Sequence, residues 1–193
     1  MKNVGRKCYH VLGGILLLGI YYLLRPGQAF FLYLLLFLGI LSFDLARLRT
    51  PAFNEWAIGR MGTLLRPGEA HTLSGSPTYV AGVAFTLFLF DLPVATAAVL
   101  FLVFGDVAAT IVGESRGRTK ILGKSLEGTV AFVAAGMAAG LAARLLGQGV
   151  SLPVLAAGAV TAAAVEVLTP KRLNDNLTIP LVSGMIMTLV GRV

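Results

Sequence analysis

Cysteine is nearly absent: Cys8 stands alone, which excludes an intramolecular disulfide. Charge is scarce too. Asp, Glu, Lys and Arg make up 13% of the 193 residues, against roughly 25% in a soluble domain. Hydrophobic residues make up 56%, and the mean hydropathy is +0.83. An ordinary water-soluble domain is thereby excluded, and an integral membrane protein is implied. No linker or low-complexity stretch breaks the chain, so residues 1–193 read as a single domain. A complete phosphate-binding loop is also missing. Gly123-Lys124-Ser125 has the right ending, but G-x-x-x-x-G-K-[ST] needs a glycine at position 118 and a strand before it. Position 118 is Arg, and a long apolar run precedes it. No clear A-x-A cleavage site follows residues 11–24, which argues against reading the first 29 residues as a secretory leader.

What is present is apolar length. Segments 9–24, 29–45, 78–90, 94–112, 128–146, 152–168 and 177–190 are predominantly apolar, and a span needs about 20 residues, fewer if flanks contribute. They predict an all-α polytopic bundle of about seven transmembrane helices. Arg25-Pro26-Gly27, Asp91-Leu92-Pro93, Gly147-Gln148-Gly149 and Thr169-Pro170 separate them. With the N-terminus cytoplasmic, the inner side collects Lys2, Arg6, Lys7, Arg47, Arg49, Arg60, Arg66, Arg116, Arg118, Lys120, Lys124, Lys171 and Arg172. The outer side keeps Arg25, Arg144 and Arg192. This is the positive-inside pattern, and it makes 46–77 and 113–127 the main cytoplasmic loops. The net charge of +7 then points to a membrane surface and not to nucleic acid. Of the acids, only Asp91 falls on the outer side, as expected if a polar site sits at the inner face.

Five clusters carry the chemistry. Asp106 lies within an apolar segment, where a carboxylate costs a few kcal/mol and defaults to a functional role. Thr110 and Gly113 follow on the same helix face. An Asp beside a hydroxyl, open to a basic loop, suits Mg²⁺ carrying phosphates. The loop from Glu114 to Lys124 holds Arg116, Arg118, Lys120 and Lys124, and Ser125 is placed to cap the next helix. Its N-terminus, with Gly123 and Lys124, offers a phosphate site on a scaffold other than a P-loop. Glu127, just inside that helix, is a capping, metal-binding or base candidate. The remaining clusters are Arg6-Lys7 with His10, the polar run His71 to Thr78, and Glu166 followed by Asn174-Asp175-Asn176. Asp175 or Asn176 is positioned to cap the last helix. Phe53–Leu65, with Trp56, reads as an amphipathic interfacial helix, and Gly136 with Gly140 forms a GxxxG packing motif.

These blocks, "RKCYH", "HTLSGSPTYVAG", "FGDVAATIVGESRGRTKILGKSLEGTVAF" and "NDNLTIPLVSG", resemble the dolichol kinase, phytol kinase and CTP-dependent diacylglycerol kinase family, in the family's order and over residues 5–185. The resemblance implies a multi-span kinase that moves a phosphoryl group from CTP to a lipid hydroxyl. It makes Asp106 central, with Arg6, Lys7, Gly113, Lys124, Ser125 and Glu127 around the nucleotide. Asn174 stands where the family often has an acid.

The expected mechanism places Mg²⁺ on Asp106 with Asp175 or Glu127. Lys124 and Lys120, with Arg6 or Lys7, neutralise the transferring oxygens; Gly123 and Asn176 join the nucleotide set. Asp106, Glu127 and His10 are the candidate bases. The partners are CTP, a lipid alcohol (polyprenol, phytol-like or diacylglycerol) and membrane lipids, with the oligomeric state open. The rival activities are a cytidylyltransferase making a CDP-lipid and a small transporter using Asp106 and Glu166 as a relay.

Overall fold

Proline and glycine set the helix boundaries. In the computed structural model, which describes residues 4–65, 68–169 and 173–192, α1 (Val4–Leu23) stops just before the Arg25-Pro26-Gly27 break and α2 (Pro26–Arg49) starts on its proline. Proline also falls in the first turn of α3 (Pro51–Met61), α4 (Ser76–Leu89), α5 (Leu92–Leu100) and α8 (Leu152–Leu168). Its missing N–H costs nothing there and its fixed φ suits a helix start. The other helices are α6 (Asp106–Arg116), α7 (Leu126–Leu145) and α9 (Asp175–Val190). All seven apolar segments are therefore helical, and helix accounts for 82% of the protein. Lys2, Arg66, Pro170, Lys171 and Arg172, used above for breaks and charge asymmetry, lie outside the described residues.

Three helical runs are long and apolar enough to cross a bilayer: Pro26–Arg49, Leu92–Arg116 and Leu126–Leu145. Ser76–Leu89, Leu152–Leu168 and Asp175–Val190 are apolar but shorter. The Leu92–Arg116 run is the axis of the bundle. Its most apolar window is 61% buried, against 17% for Pro26–Arg49 and 28% for Leu126–Leu145. Large side chains such as Leu12, Leu16, Phe30, Phe31 and Leu145 are exposed on the outer helices. An apolar exterior of this extent is foreign to a soluble monomer and normal against lipid; this is a membrane protein.

The axis is not one uniform α-helix. Phe101–Gly105 form a π-helical stretch between α5 and α6, a feature that recurs at functional sites. It ends at Asp106. Apolar periodicity gave no sign of it. The Gly136/Gly140 pair packs as expected: a side chain at Gly136 would meet Phe101, and one at Gly140 would meet Leu155.

The segment between α6 and α7 is more ordered than a loop. Strands β1 (Lys120–Ile121) and β2 (Lys124–Ser125) pair antiparallel, Lys120 opposite Ser125. The two connecting residues, Leu122 and Gly123, have φ of 49° and 88°, the two positive values a type I′ hairpin turn requires. The turn accounts for Gly123. Loop 46–77 is likewise partly helical, with α3 and a 3-10 turn at Glu69–His71. Trp56 on α3 is exposed and stacks on Phe53.

Candidate functional site

Four helix starts and the end of the hairpin surround one polar cavity of about 170 Å³. From α1 come Arg6, Lys7, Tyr9 and His10; from α4 and the turn before it, Gly75, Ser76 and Tyr79. Asp106 and Thr110 project from the start of α6, Asp175 and Asn176 from the start of α9, and Lys124 from β2. All five clusters singled out in the sequence contribute side chains here or to the adjoining cavity. That second cavity, of about 410 Å³, is lined by Gly113, Gly117, Lys120, Gly123, Lys124 and Ser125, with Glu114 and Glu166 among its walls. Thr110 and Lys124 line both.

Local structure holds each group. The α9 start reaches the cavity because Gly82 of α4 has no side chain: a Cβ there would collide with the Asn176 carbonyl. The Asn176 amide nitrogen then donates to the Gly75 carbonyl at 3.1 Å. Asn174 is the N-cap of α9, accepting the Asn176 N–H at 3.0 Å, and Asp175 Oδ1 meets the same N–H at 3.1 Å; Asn176 is the donor and not the cap. Ser125 caps α7 as expected, its Oγ accepting the Gly128 N–H at 3.1 Å.

Asp106 is partly buried, its side chain 16% exposed. His10 Nε2 lies 4.0 Å from Asp106 Oδ2 and 3.2 Å from the Leu102 carbonyl in the π stretch. A carbonyl only accepts, so that bond needs a proton on Nε2, and this nitrogen cannot then act as a base. Tyr79 donates to the His10 carbonyl at 2.7 Å and its ring sits 4.4 Å from the imidazole. It fixes the first turns of α1 beside Asp106.

Two of the predicted nucleotide cations have protein partners. Lys7, buried at 6% exposure, donates to Glu114 at 2.8 Å, tying α1 to α6. Lys124 pairs with Glu166 of α8, whose carboxylate is buried. Lys120 and Gly123 are exposed on the hairpin. Glu127 lines neither cavity; its carboxylate accepts the Thr119 N–H at 3.1 Å and closes the base of the hairpin. His71 lines neither cavity and is exposed in the 3-10 turn.

Sequence reasoning passed over several residues of this region. Glu69 lines the first cavity and accepts the Gly75 N–H at 3.0 Å. Arg47, placed in the sequence with the inner-face cations, is 1% exposed. It bonds Asp44 (2.7 Å), Asn54 (3.1 Å) and the Thr72 carbonyl (2.7 Å), while Asp44 also accepts the Ser74 N–H at 2.7 Å. This network pins α2 and α3 to the chain entering α4. The i,i+3 spacing of Asp44 and Arg47 was a legible sign.

A hard cation fits the donor set. Asp106 and Asp175 face one cavity, and Asn176 Oδ1, in a residue 3% exposed, has no hydrogen-bond partner among the described residues. A buried acceptor left unpaired needs an explanation, and oxygen donors of this kind suit Mg²⁺, which takes one or two carboxylates and completes its shell with phosphate and water. Among the described residues no three His, Cys, Asp or Glu side chains gather as a self-sufficient metal site.

The chain is similar to CTP-dependent diacylglycerol kinases. It is 31% identical to CTP-dependent diacylglycerol kinase 1 of Saccharomyces cerevisiae over 142 residues, 70% of this chain and 48% of the yeast protein. Identity to the Eremothecium gossypii protein of the same name is 34% over 104 residues, 52% of this chain and 33% of the relative. An uncharacterized Rickettsia prowazekii protein is 29% identical over 182 residues, covering 91% of this chain and 88% of that one. The chain spans about half or less of the length of the two fungal relatives. Neither fungal name is that of a dolichol or phytol kinase. No family model matches the chain, and no solved structure matches it.

Proposed function

We propose that this protein is a lipid kinase that transfers a phosphoryl group from CTP to the hydroxyl of a lipid alcohol, at the cytoplasmic face of a multi-pass helical bundle. The observation that carries the reading is the pair of polar cavities joined at Thr110 and Lys124, with Asp106 in one and the glycine hairpin in the other. The similarity to enzymes named for CTP and diacylglycerol supports the same donor and a lipid acceptor.

Phosphoryl transfer depends on positioning and charge neutralisation more than on covalent chemistry. The cavity walled by Gly113, Gly117, Gly123 and Lys120 receives the nucleotide. Lys124, on both cavities, turns from Glu166 to the transferring phosphate. Asp106, Asp175 and Asn176 Oδ1 would hold Mg²⁺, which when bound supplies charge neutralisation across the donor phosphates. The lipid oxygen bonds to the γ-phosphorus, the bond from that phosphorus to the β-bridging oxygen breaks, and CDP leaves. Asp106, which lines the cavity the hydroxyl enters, takes the hydroxyl proton. Arg6 and Lys7 add positive charge at the same cavity.

The test is a purified-protein assay with labelled CTP and ATP against diacylglycerol, polyprenol and phytol, with both products identified. CDP and a phosphorylated lipid are expected, with ATP a poor donor. Release of pyrophosphate with a CDP-lipid would make the protein a cytidylyltransferase instead. Orientation is tested separately: in a Cys8-free background, Lys120→Cys labelled from outside intact cells would overturn the cytoplasmic placement.

A further inference from the structure

A third cavity, of about 250 Å³, lies beside the polar pair, between α2, α3 and the chain entering α4. Its walls are largely apolar: Ile40 and Phe43 from α2, Ala57 and Met61 from α3, then Leu64 and Leu65. Asp44 and Arg47 also line it, but both Asp44 oxygens and all three Arg47 nitrogens are engaged within the protein. An occupant therefore meets hydrocarbon and satisfied polar groups, conditions that favour a neutral chain over a charged headgroup.

Two observations connect this cavity to chemistry and to lipid. Tyr9, Leu64 and Ser76 line both it and the cavity of Asp106, so the two meet along a seam carrying two hydroxyls, Tyr9 donating to Ser76 at 3.5 Å. At the other side, Gly39 lies on the lip, exposed, and a Cβ there would meet nothing within 4 Å. Its neighbours along α2, Leu35 and Leu38, are exposed apolar side chains. The cavity thus opens toward the apolar exterior at one end and toward Asp106 at the other.

Resting on the lipid-kinase reading, we infer that this cavity is the acceptor subsite: it takes the stretch of hydrocarbon nearest the hydroxyl of a neutral lipid alcohol, entering over Gly39 from the membrane. The hydroxyl then crosses the Tyr9–Ser76 seam to Asp106. At about 250 Å³, below the roughly 300–1,000 Å³ that encloses a drug-sized ligand, the cavity holds only that stretch, and the rest of the lipid stays in the bilayer. The phosphorylated product carries its charge on the Asp106 side and leaves the apolar walls unchanged for the next acceptor.

Gly39→Leu tests the assignment. It improves helix propensity and meets open space, so the fold survives while the lip is blocked. With dioctanoylglycerol and a short polyprenol as acceptors, the KM of whichever is phosphorylated should rise at least tenfold, the KM for CTP staying within twofold; Gly39→Ala should give a smaller rise. Diazirine-bearing analogues of both lipids should label peptides containing Ile40–Phe43 and Met61–Leu65 in the wild type, and this label should fade in Gly39→Leu. An active wild type whose acceptor KM ignores Gly39→Leu, or whose label falls on α7 and α8, overturns the subsite and leaves the kinase intact. A wild type that labels in this cavity yet phosphorylates no lipid overturns the kinase and leaves the lipid-chain cavity standing.

Discussion

Asp44 and Asp106 are both carboxylates in long apolar helical runs, and they have opposite surroundings. Asp44 is 2% exposed, with one oxygen on Arg47 and the other on the Ser74 N–H. Asp106 lines an open polar cavity, its side chain 16% exposed and 4.0 Å from His10. Asp44, with both oxygens bonded within the protein at the edge of an apolar cavity, is a pin. Asp106, more exposed and in a polar cavity with cations and an Asn176 Oδ1 that has no hydrogen-bond partner among the described residues, is placed for a ligand. Charge inside an apolar helix marks both positions equally; exposure and the chemistry of the cavity each one lines separate them.

The largest effect expected from breaking this contrast is on stability. Asp44→Ala strands Arg47 in the interior, and breaking one half of a buried pair costs about 3–5 kcal/mol. Thermal unfolding in detergent should show a large loss of folded protein. Retention of wild-type stability would mean the network does not hold the α2–α3 corner.

Next comes Asp106→Asn, which should leave stability intact or raised, since a charge in a span is costly, and lower turnover at least about a hundredfold. Arg144→Ala, remote from the cavities, should stay within a few fold when equal amounts of folded protein are compared. If Asp106→Asn keeps near-normal turnover while Arg144→Ala does not, the site is at the wrong end of the bundle.

Lys124→Ala mixes the two kinds of effect. It removes a cation from the cavities and leaves Glu166 buried without its partner. Turnover per CTP should fall at least about tenfold, the scale of one lost charge-assisted hydrogen bond, and the melting temperature should fall too. Adding Glu166→Gln should restore the melting temperature and leave activity low. Recovery of both by the double variant would make Lys124 a structural partner alone.

The smallest effect belongs to Ser125→Ala, which removes the α7 cap. About 1 kcal/mol of stability should be lost, and the KM for CTP should rise by a factor of about five, equivalent to one hydrogen bond. A stability loss with unchanged KM would confine Ser125 to capping.

Composition, breakers and charge were enough to read seven helical segments, the Ser125 cap and the gathering of Arg6, His10, Ser76, Asp106, Lys124 and Asp175 into one region. Those signals are local: apolar runs demand burial, proline ends or starts a helix, and cations collect on one side of a membrane. Partner choice is not local. Lys7 meets Glu114 and Lys124 meets Glu166 across 107 and 42 residues of chain, and no periodicity encodes such pairings. Arg47 looked like a loop cation until packing of α2, α3 and the α4 approach gave it internal partners. Glu127 looked like a site acid until the hairpin claimed its carboxylate. The orphan oxygen of Asn176 exists because Gly82 admits the α9 start and Gly75 takes the amide nitrogen. The apolar cavity beside the site depends on how three elements fail to fill the space between them. Sequence determined which residues are polar in an apolar chain; only tertiary packing decided which partners each one meets and which cavity it lines.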